Sequence, residues 1–176
     1  ADLKTFSALG CYGMSVITAL TAQNTEGVQG IHEIDPKFIE KQINSILEDI
    51  GVDVIKIGML FNASVIKTVA KCLREIKNCP IVLDPVMFSK SGDRLLQEDA
   101  VESIKNELFP LATIITPNIP EAEALLNYSI ESLESMQQAA IDLNKLVPKA
   151  VVVKGGALSA STSDDCLVIE GGYPNW

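Results

Sequence analysis

Apolar positions along the chain follow two alternating patterns. In one, they recur at helical spacing. Asp35-Pro36 reads as a helix N-cap with proline at the first helical position, followed by Phe38, Ile39, Ile43, Ile46, Leu47 and Ile50 until Gly51. Asn62 can cap a second helix with the stripe Val65, Ile66, Val69, Ala70, Leu73 and Ile76. A third is expected over Ala100, Val101, Ile104 and Leu108, closing before Pro110. A fourth places Leu133, Met136, Ala140, Leu143 and Val147 on one face and ends at Pro148. Shorter helices are expected near Ala1–Leu9 and over Glu121–Leu126.

The second pattern consists of short aliphatic runs: Met14–Ala22, Val52–Ile57, Ile81–Leu83, Thr113–Ile115, Ala150–Val153 and Cys166–Ile169. Several are continuous rather than alternating, as in strands covered on both faces. Strands interleaved with helices predict an α/β fold with a mostly parallel sheet. Ala160-Ser-Thr-Ser-Asp-Asp165 reads as a surface loop. No repeat or inter-domain linker interrupts the order, so residues 1–176 are expected to form a single domain.

Composition narrows the function classes. At 47% hydrophobic residues, the chain can bury a sizeable core. A net charge of −9 argues against nucleic-acid backbone binding. The one histidine, His32, is expected in an exposed loop; it makes His-rich metal sites unlikely and leaves a Ser-His-Asp triad one possible member. Cys11, Cys72, Cys79 and Cys166 show no C-x-x-C spacing, so reduced cytoplasmic thiols are expected. Apolar stretches such as Ser15–Ala22 stop well short of the ~20 residues of a membrane helix, and with no basic n-region before them no signal peptide is expected.

Candidate chemistry lies at the expected strand ends: Gln23-Asn24-Thr25, Gly58-Met59, Asp84-Pro85, Thr116-Pro117-Asn118 and Lys154-Gly155-Gly156. The carboxyl ends of parallel strands share one edge, where such folds bind ligands. The set suits a phosphate donor with Mg²⁺ and a small polar ring. Each part also has a plainer explanation. Asn118 and Glu121 have capping-box spacing, Asp84 can be a turn aspartate, and Gln23-Asn24 can be solvated turn chemistry. Met59 can be core, and Lys154-Gly-Gly a strand terminus, since it lacks a complete phosphate loop.

Ala1-Asp-Leu-Lys-Thr-Phe-Ser-Ala-Leu-Gly10, Ala19-Leu-Thr-Ala-Gln-Asn-Thr25, Lys56-Ile-Gly-Met-Leu60, Leu83-Asp-Pro-Val-Met87, Lys90-Ser-Gly-Asp93, Thr116-Pro-Asn-x-Pro-Glu-Ala122 and Val153-Lys-Gly-Gly156 occur in order along the chain. Together they resemble the hydroxymethylpyrimidine/phosphomethylpyrimidine kinases of thiamine biosynthesis. Thr-Pro-Asn-x-x-Glu and Lys-Gly-Gly are shared across ribokinase-like proteins, including pyridoxal kinases; the first three stretches are more specific to the pyrimidine kinases. The resemblance implies a three-layer αβα ribokinase-like fold, a cytoplasmic homodimer, and Mg-ATP as phosphoryl donor. It implies phosphorylation of 4-amino-5-hydroxymethyl-2-methylpyrimidine and then of its monophosphate, with no nucleic-acid or membrane partner.

By the same resemblance, Gln23 reads the aminopyrimidine edge while Met59 and Val86 pack the ring. Asn118 and Lys154 bind the nucleotide, and Asp84 and Glu121 hold the metal. The family's glycine-rich turn before the Ala1 stretch and its Gly-Thr-Gly-Cys/Asp segment are not among these residues, so no catalytic residue is assigned and none of the cysteines takes that place. Ala157 also stands where the family commonly has His. The expectation is a kinase domain cut at both ends and inactive as it stands. A pyridoxal kinase-like enzyme and a non-catalytic vitamin-binding derivative are the alternatives.

Overall fold

The computed structural model describes residues 1–89, 92–147, 149–156, 158 and 163–176. A five-stranded sheet runs β3 (Ile55–Ile57), β4 (Ile81–Leu83), β5 (Ile114–Ile115), β6 (Ala150–Lys154) and β7 (Asp165–Ile169). The first four are parallel, and β7 returns antiparallel against β6. Helix α1 spans Asp2–Ala8, α2 Pro36–Asp49, α3 Ala63–Arg74, α5 Ile119–Leu126 and α6 Leu133–Asn144. Between β4 and β5 the helix α4 (Val101–Ser103) runs into a π-helical stretch at Ile104–Leu108 and a 3₁₀ turn at Phe109–Leu111. The third helix expected from the apolar spacing is therefore irregular, and Pro110 lies inside its last turn rather than beyond it.

Every crossover from β3 to β6 advances one strand in the same direction, so right-handed connections stack the intervening helices on one face. Lateral pairing aligns Ile57, Leu83, Ile115, Val151 and Val168 in a row across the sheet. All five are buried, as are Val65, Ile66, Val69 and Leu73 of α3 and Met136, Ala140 and Leu143 of α6. The alternate row, Lys56, Val82, Ile114 and Ala150, is half-buried. Helix α1 reaches this opposite face, where Asp2 pairs with Lys56 at 2.9 Å. The result is a three-layer α/β arrangement with very unequal outer layers.

Capping fixes the helix starts. Asp35 accepts from the Lys37 N–H at 2.8 Å, and Asn62 from Val65 N–H at 2.9 Å. Gly51, with φ 77°, stops the chain's helical course after α2. The expected stripe of α2 is narrower than the apolar count suggests: Ile39 and Ile43 are buried, whereas Phe38 and Ile50 are 57% and 56% exposed. Phe38 is adjacent to Ile39 and hence about 100° away around the helix. Leu133 of α6 is likewise exposed, while Val147 is buried; Pro148 lies outside the described residues.

The run expected as a strand over Met14–Ala22 is corrected. Only Ala19–Gln23 (β1) is extended, and it pairs antiparallel with Val28–Glu33 (β2) in a separate two-stranded ribbon. Asn24 explains the reversal. Its side-chain oxygen accepts from Glu26 and Gly27 N–H at 2.9 and 3.1 Å, while its own N–H donates to the Gly27 carbonyl at 3.1 Å. Gln23-Asn24-Thr25 therefore opens a hairpin turn instead of ending a strand of the parallel sheet. His32, expected in a loop, is on β2 and exposed. The strand expected from Val52 begins at Ile55, after exposed Asp53 and Val54. Residues 160–162 of the expected 160–165 loop lie outside the described set, and Asp165 begins β7. Among the described residues, no helix is long and apolar enough to cross a membrane.

Candidate phosphate and metal site at the sheet edge

The parallel register continues beyond the regular strands and sets the site. Asp84 N–H donates to the Ile57 carbonyl at 2.9 Å, Thr116 N–H to Leu83 at 3.0 Å, and Lys154 N–H to Pro117 at 2.8 Å. These bonds hold the first residues past β4 and β5, and the last of β6, side by side. Asp84, Thr116 and Lys154 follow the parity of the half-buried row, away from the main helical layer. Lys154 Nζ stands 3.0 Å from Asp84 Oδ1, and the Thr116 hydroxyl donates to the same oxygen at 3.4 Å. Lys56 Nζ lies 3.8 Å from Asp84 Oδ2. One carboxylate is thus bracketed by two ammonium groups.

Beneath this pair, Asn118 and Glu121 form a complete capping box at the start of α5. Asn118 Oδ1 accepts from Glu121 N–H, and Glu121 Oε2 from Asn118 N–H, both at 2.9 Å. Glu121 Oε1 also accepts from Met87 N–H at 3.4 Å, and the residue is only 2% exposed. Burial pushes its carboxyl up from the usual range, the Asn118 N–H pulls it back, and Asp84 pushes it up again. The plain helix-start explanation of this motif is therefore correct as far as it goes. Asn118 also stands beside Lys154 along the backbone, where residues 118 and 154 form an isolated parallel bridge.

The candidate ring-binding residues are more dispersed. Met59 follows β3, is half-buried, and its carbonyl accepts from the Thr18 hydroxyl at 2.6 Å. Val86 is half-buried two residues beyond Asp84, and its N–H donates to the Asp84 carbonyl at 2.8 Å. Gln23 is exposed at the end of β1, next to a bulge, with no side-chain hydrogen bond to Met59 or Val86 among the described residues. The base of that ribbon is anchored: Gln42 of α2 accepts from Ile17 N–H at 2.9 Å and donates to its carbonyl at 3.0 Å. Asp93 Oδ2 accepts from Val28 N–H at 3.2 Å, tying Asp93 to the ribbon. Lys90, Ser91 and Ala157 lie outside the described residues.

The sequence assigns no individual role to Lys56, or to Thr116 within its strand-end cluster. A lone lysine between Ile55 and Ile57, on a strand otherwise aliphatic, is the signal that could have found the first. The cysteines stay out of the site. Burial pushes the Cys72, Cys79 and Cys166 thiols up, which disfavours thiolate, and Cys11 is exposed on the loop after α1. Among the described residues, no group of three or more His, Cys, Asp or Glu side chains is placed to hold a metal.

The family model described as phosphomethylpyrimidine kinase matches residues 1–175. The thiamine biosynthesis bifunctional protein of Geobacter sulfurreducens is 50% identical over 167 residues, covering 95% of this chain and 34% of that protein, so the chain spans about a third of its length. The crystal structure of a phosphomethylpyrimidine kinase from Clostridium difficile 630 has a TM-score of 0.88 at 45% identity, covering 98% of this chain and 74% of the other. The pyridoxal kinase of Staphylococcus aureus in complex with AMP-PCP and pyridoxal has a TM-score of 0.86 at 31% identity, over 98% and 62%. Taken with the parallel sheet and the lysine–carboxylate pair at its edge, the match along nearly all residues shows that the chain belongs to the phosphomethylpyrimidine kinase family.

Proposed function

We propose that this chain carries the nucleotide-phosphate and pyrimidine-binding parts of an ATP-dependent kinase acting on 4-amino-5-hydroxymethyl-2-methylpyrimidine and its monophosphate. The observation that carries the proposal is the Lys154–Asp84 pair, 3.0 Å apart at the carboxyl ends of β6 and β4, the parallel strands on either side of β5. Phosphoryl transfer is driven mainly by positioning and charge neutralisation, and this edge supplies both. Lys154 holds nucleotide phosphate with its ammonium, and Asn118 offers its amide nitrogen alongside. Asp84 fits a hydrated Mg²⁺, which needs one or two carboxylates and otherwise uses water and phosphate oxygens. When bound, the ion shields the negative charge of the transferred group. Glu121, both of whose oxygens accept from backbone N–H groups, supports that charge through water while keeping α5 in place.

Gln23 would present one donor and one acceptor to the aminopyrimidine edge, with Met59 and Val86 against the ring. The free thiols fit a cytoplasmic enzyme, and exposed Leu20 on the ribbon offers apolar surface to a second copy in a homodimer.

The pyridoxal kinase reading keeps the same phosphate edge and differs at the ring. Calorimetric titration of the full-length protein separates the two. Gln23→Ala should weaken hydroxymethylpyrimidine binding by roughly 5–150-fold, from one buried polar partner lost at about 1–3 kcal/mol. Binding of a non-hydrolysable ATP analogue and of pyridoxal should change little. Unchanged pyrimidine binding would remove Gln23 from the substrate site, and tighter binding of pyridoxal than of pyrimidine by wild type would favour the second reading.

A further inference from the structure

Lys56 places a second ammonium, besides that of Lys154, near Asp84 at the sheet edge. It occupies the middle of β3, and its ammonium is shared between two carboxylates: Asp2 of α1 at 2.9 Å and Asp84 Oδ2 at 3.8 Å. Lys154 and Thr116 engage the other oxygen, Oδ1. Gly58 keeps the space: a Cβ there would stand 3.3 Å from Lys56 Nζ. The two lysines therefore face opposite oxygens of one carboxylate, and only one of them, Lys154, lies beside the helix-capping asparagine where phosphate is proposed to bind.

We infer that Lys56 is a positioning residue that acts through Asp84, and that Asp2 sets how strongly it does so. The inference rests on the reading of Asp84 as the carboxylate facing the metal–nucleotide. When Lys154 turns its ammonium to phosphate, Oδ1 is released to face a hydrated cation. Lys56 stays on Oδ2 and fixes the plane of the carboxylate, so that Oδ1 is the oxygen presented. Asp2 draws Lys56 partly away, limiting the positive charge felt at the cation position. Losing Lys56 should thus make the edge more attractive to a cation while leaving Asp84 free to rotate. Losing Asp2 should concentrate Lys56 on Asp84 and weaken cation binding.

The test uses the full-length protein and reads Mn²⁺ affinity by electron paramagnetic resonance with a non-hydrolysable ATP analogue bound, with kcat measured alongside. Lys56→Met should bind Mn²⁺ about two- to fivefold more tightly, the scale of a partly exposed charge pair. Its kcat should fall by about tenfold through misplacement of the carboxylate. Asp2→Asn should bind Mn²⁺ about two- to fivefold more weakly. Lys56→Arg should restore Mn²⁺ affinity and most of kcat. The opposite signs are the signature: a merely structural role would lower melting temperature without moving the two affinities apart. Shifts in the same direction, or no shift in either variant, would overturn the inference. Asp2 is 53% exposed at its side chain, so Asp2→Asn decides the matter even if Lys56→Met does not fold. An Asp84→Asn variant with wild-type Mn²⁺ affinity would overturn the underlying reading as well. A response from Asp84→Asn with silent Lys56 and Asp2 variants would overturn the positioning role alone.

Discussion

Replacing Gly155 by alanine should damage the protein far more than the same change one residue later. A Cβ on Gly155 would lie 2.1 Å from the Asp164 carbonyl oxygen and 2.8 Å from Met136 Cε. The methionine tip can move, but the carbonyl belongs to the backbone leading into β7, and that strand is held to β6 along its whole length. Relief requires displacing the end of β6 from its partner, the kind of overpacking that costs about 1–3 kcal/mol and occasionally more. At about 2–4 °C per kcal/mol for a chain of this size, the melting temperature should fall by roughly 2–12 °C. Gly156 is exposed, and among the described residues its Cβ would meet only the Ser163 hydroxyl at 3.0 Å, a side chain able to rotate away. Gly156→Ala should therefore melt within about 2 °C of wild type. Matched thermal denaturation by circular dichroism measures both. Equal melting temperatures for the two variants would refute the steric account of the Lys-Gly-Gly sequence.

Two further outcomes follow from single contacts. Asn62→Ala removes the cap of α3 and a side-chain hydrogen bond to Glu33 on β2, so it should cost about 1–2 kcal/mol in chemical denaturation, whereas a loss under about 0.3 kcal/mol would contradict the capping role. The Tyr128 hydroxyl donates to Asp142 at 3.1 Å, and burial followed by that bond pushes its ionisation up to about 12. The stability it supplies is present below the unfolded tyrosine value near 10 and is lost as pH rises through about 12. Ultraviolet titration of wild type against Tyr128→Phe should place the missing step near 12, and a step near 10 would refute the bond.

How much of this was legible in the sequence depended on how local the cause was. The caps at Asp35, Asn62 and Asn118 need only a few neighbouring residues, and all three occur as expected. The aliphatic runs of β4 and β6 announce strands covered on both faces. Their polar ends meet because parallel register is regular. The ribbon was not legible in the same way. Val28–Glu33 contains Gly30 and His32 and has no aliphatic run, and its pairing depends on the Asn24 turn rather than on burial. The π stretch at Ile104–Leu108 was hidden because apolar residues spaced three and four apart fit an ordinary helix equally well. Lys56 was missed for a different reason: which side of β3 it faces, and that Asp84 lies on the same side, is set by inter-strand register, a property of residues far apart in sequence.

Matched kinetics and thermal melts of Asp84→Asn and Lys154→Met in the full-length protein test the phosphoryl-transfer reading most directly. Their side chains are 23% and 40% exposed, so the ion pair contributes at most about 1 kcal/mol to folding, and the melting temperature should fall by no more than about 4 °C. Activity with hydroxymethylpyrimidine and Mg-ATP should fall by roughly 100–1000-fold in each variant, the scale of losing one charge-stabilising group at a reacting centre. A collapsed melting temperature with full specific activity in the protein that remains folded would show that the pair is a structural clasp and contradict the account.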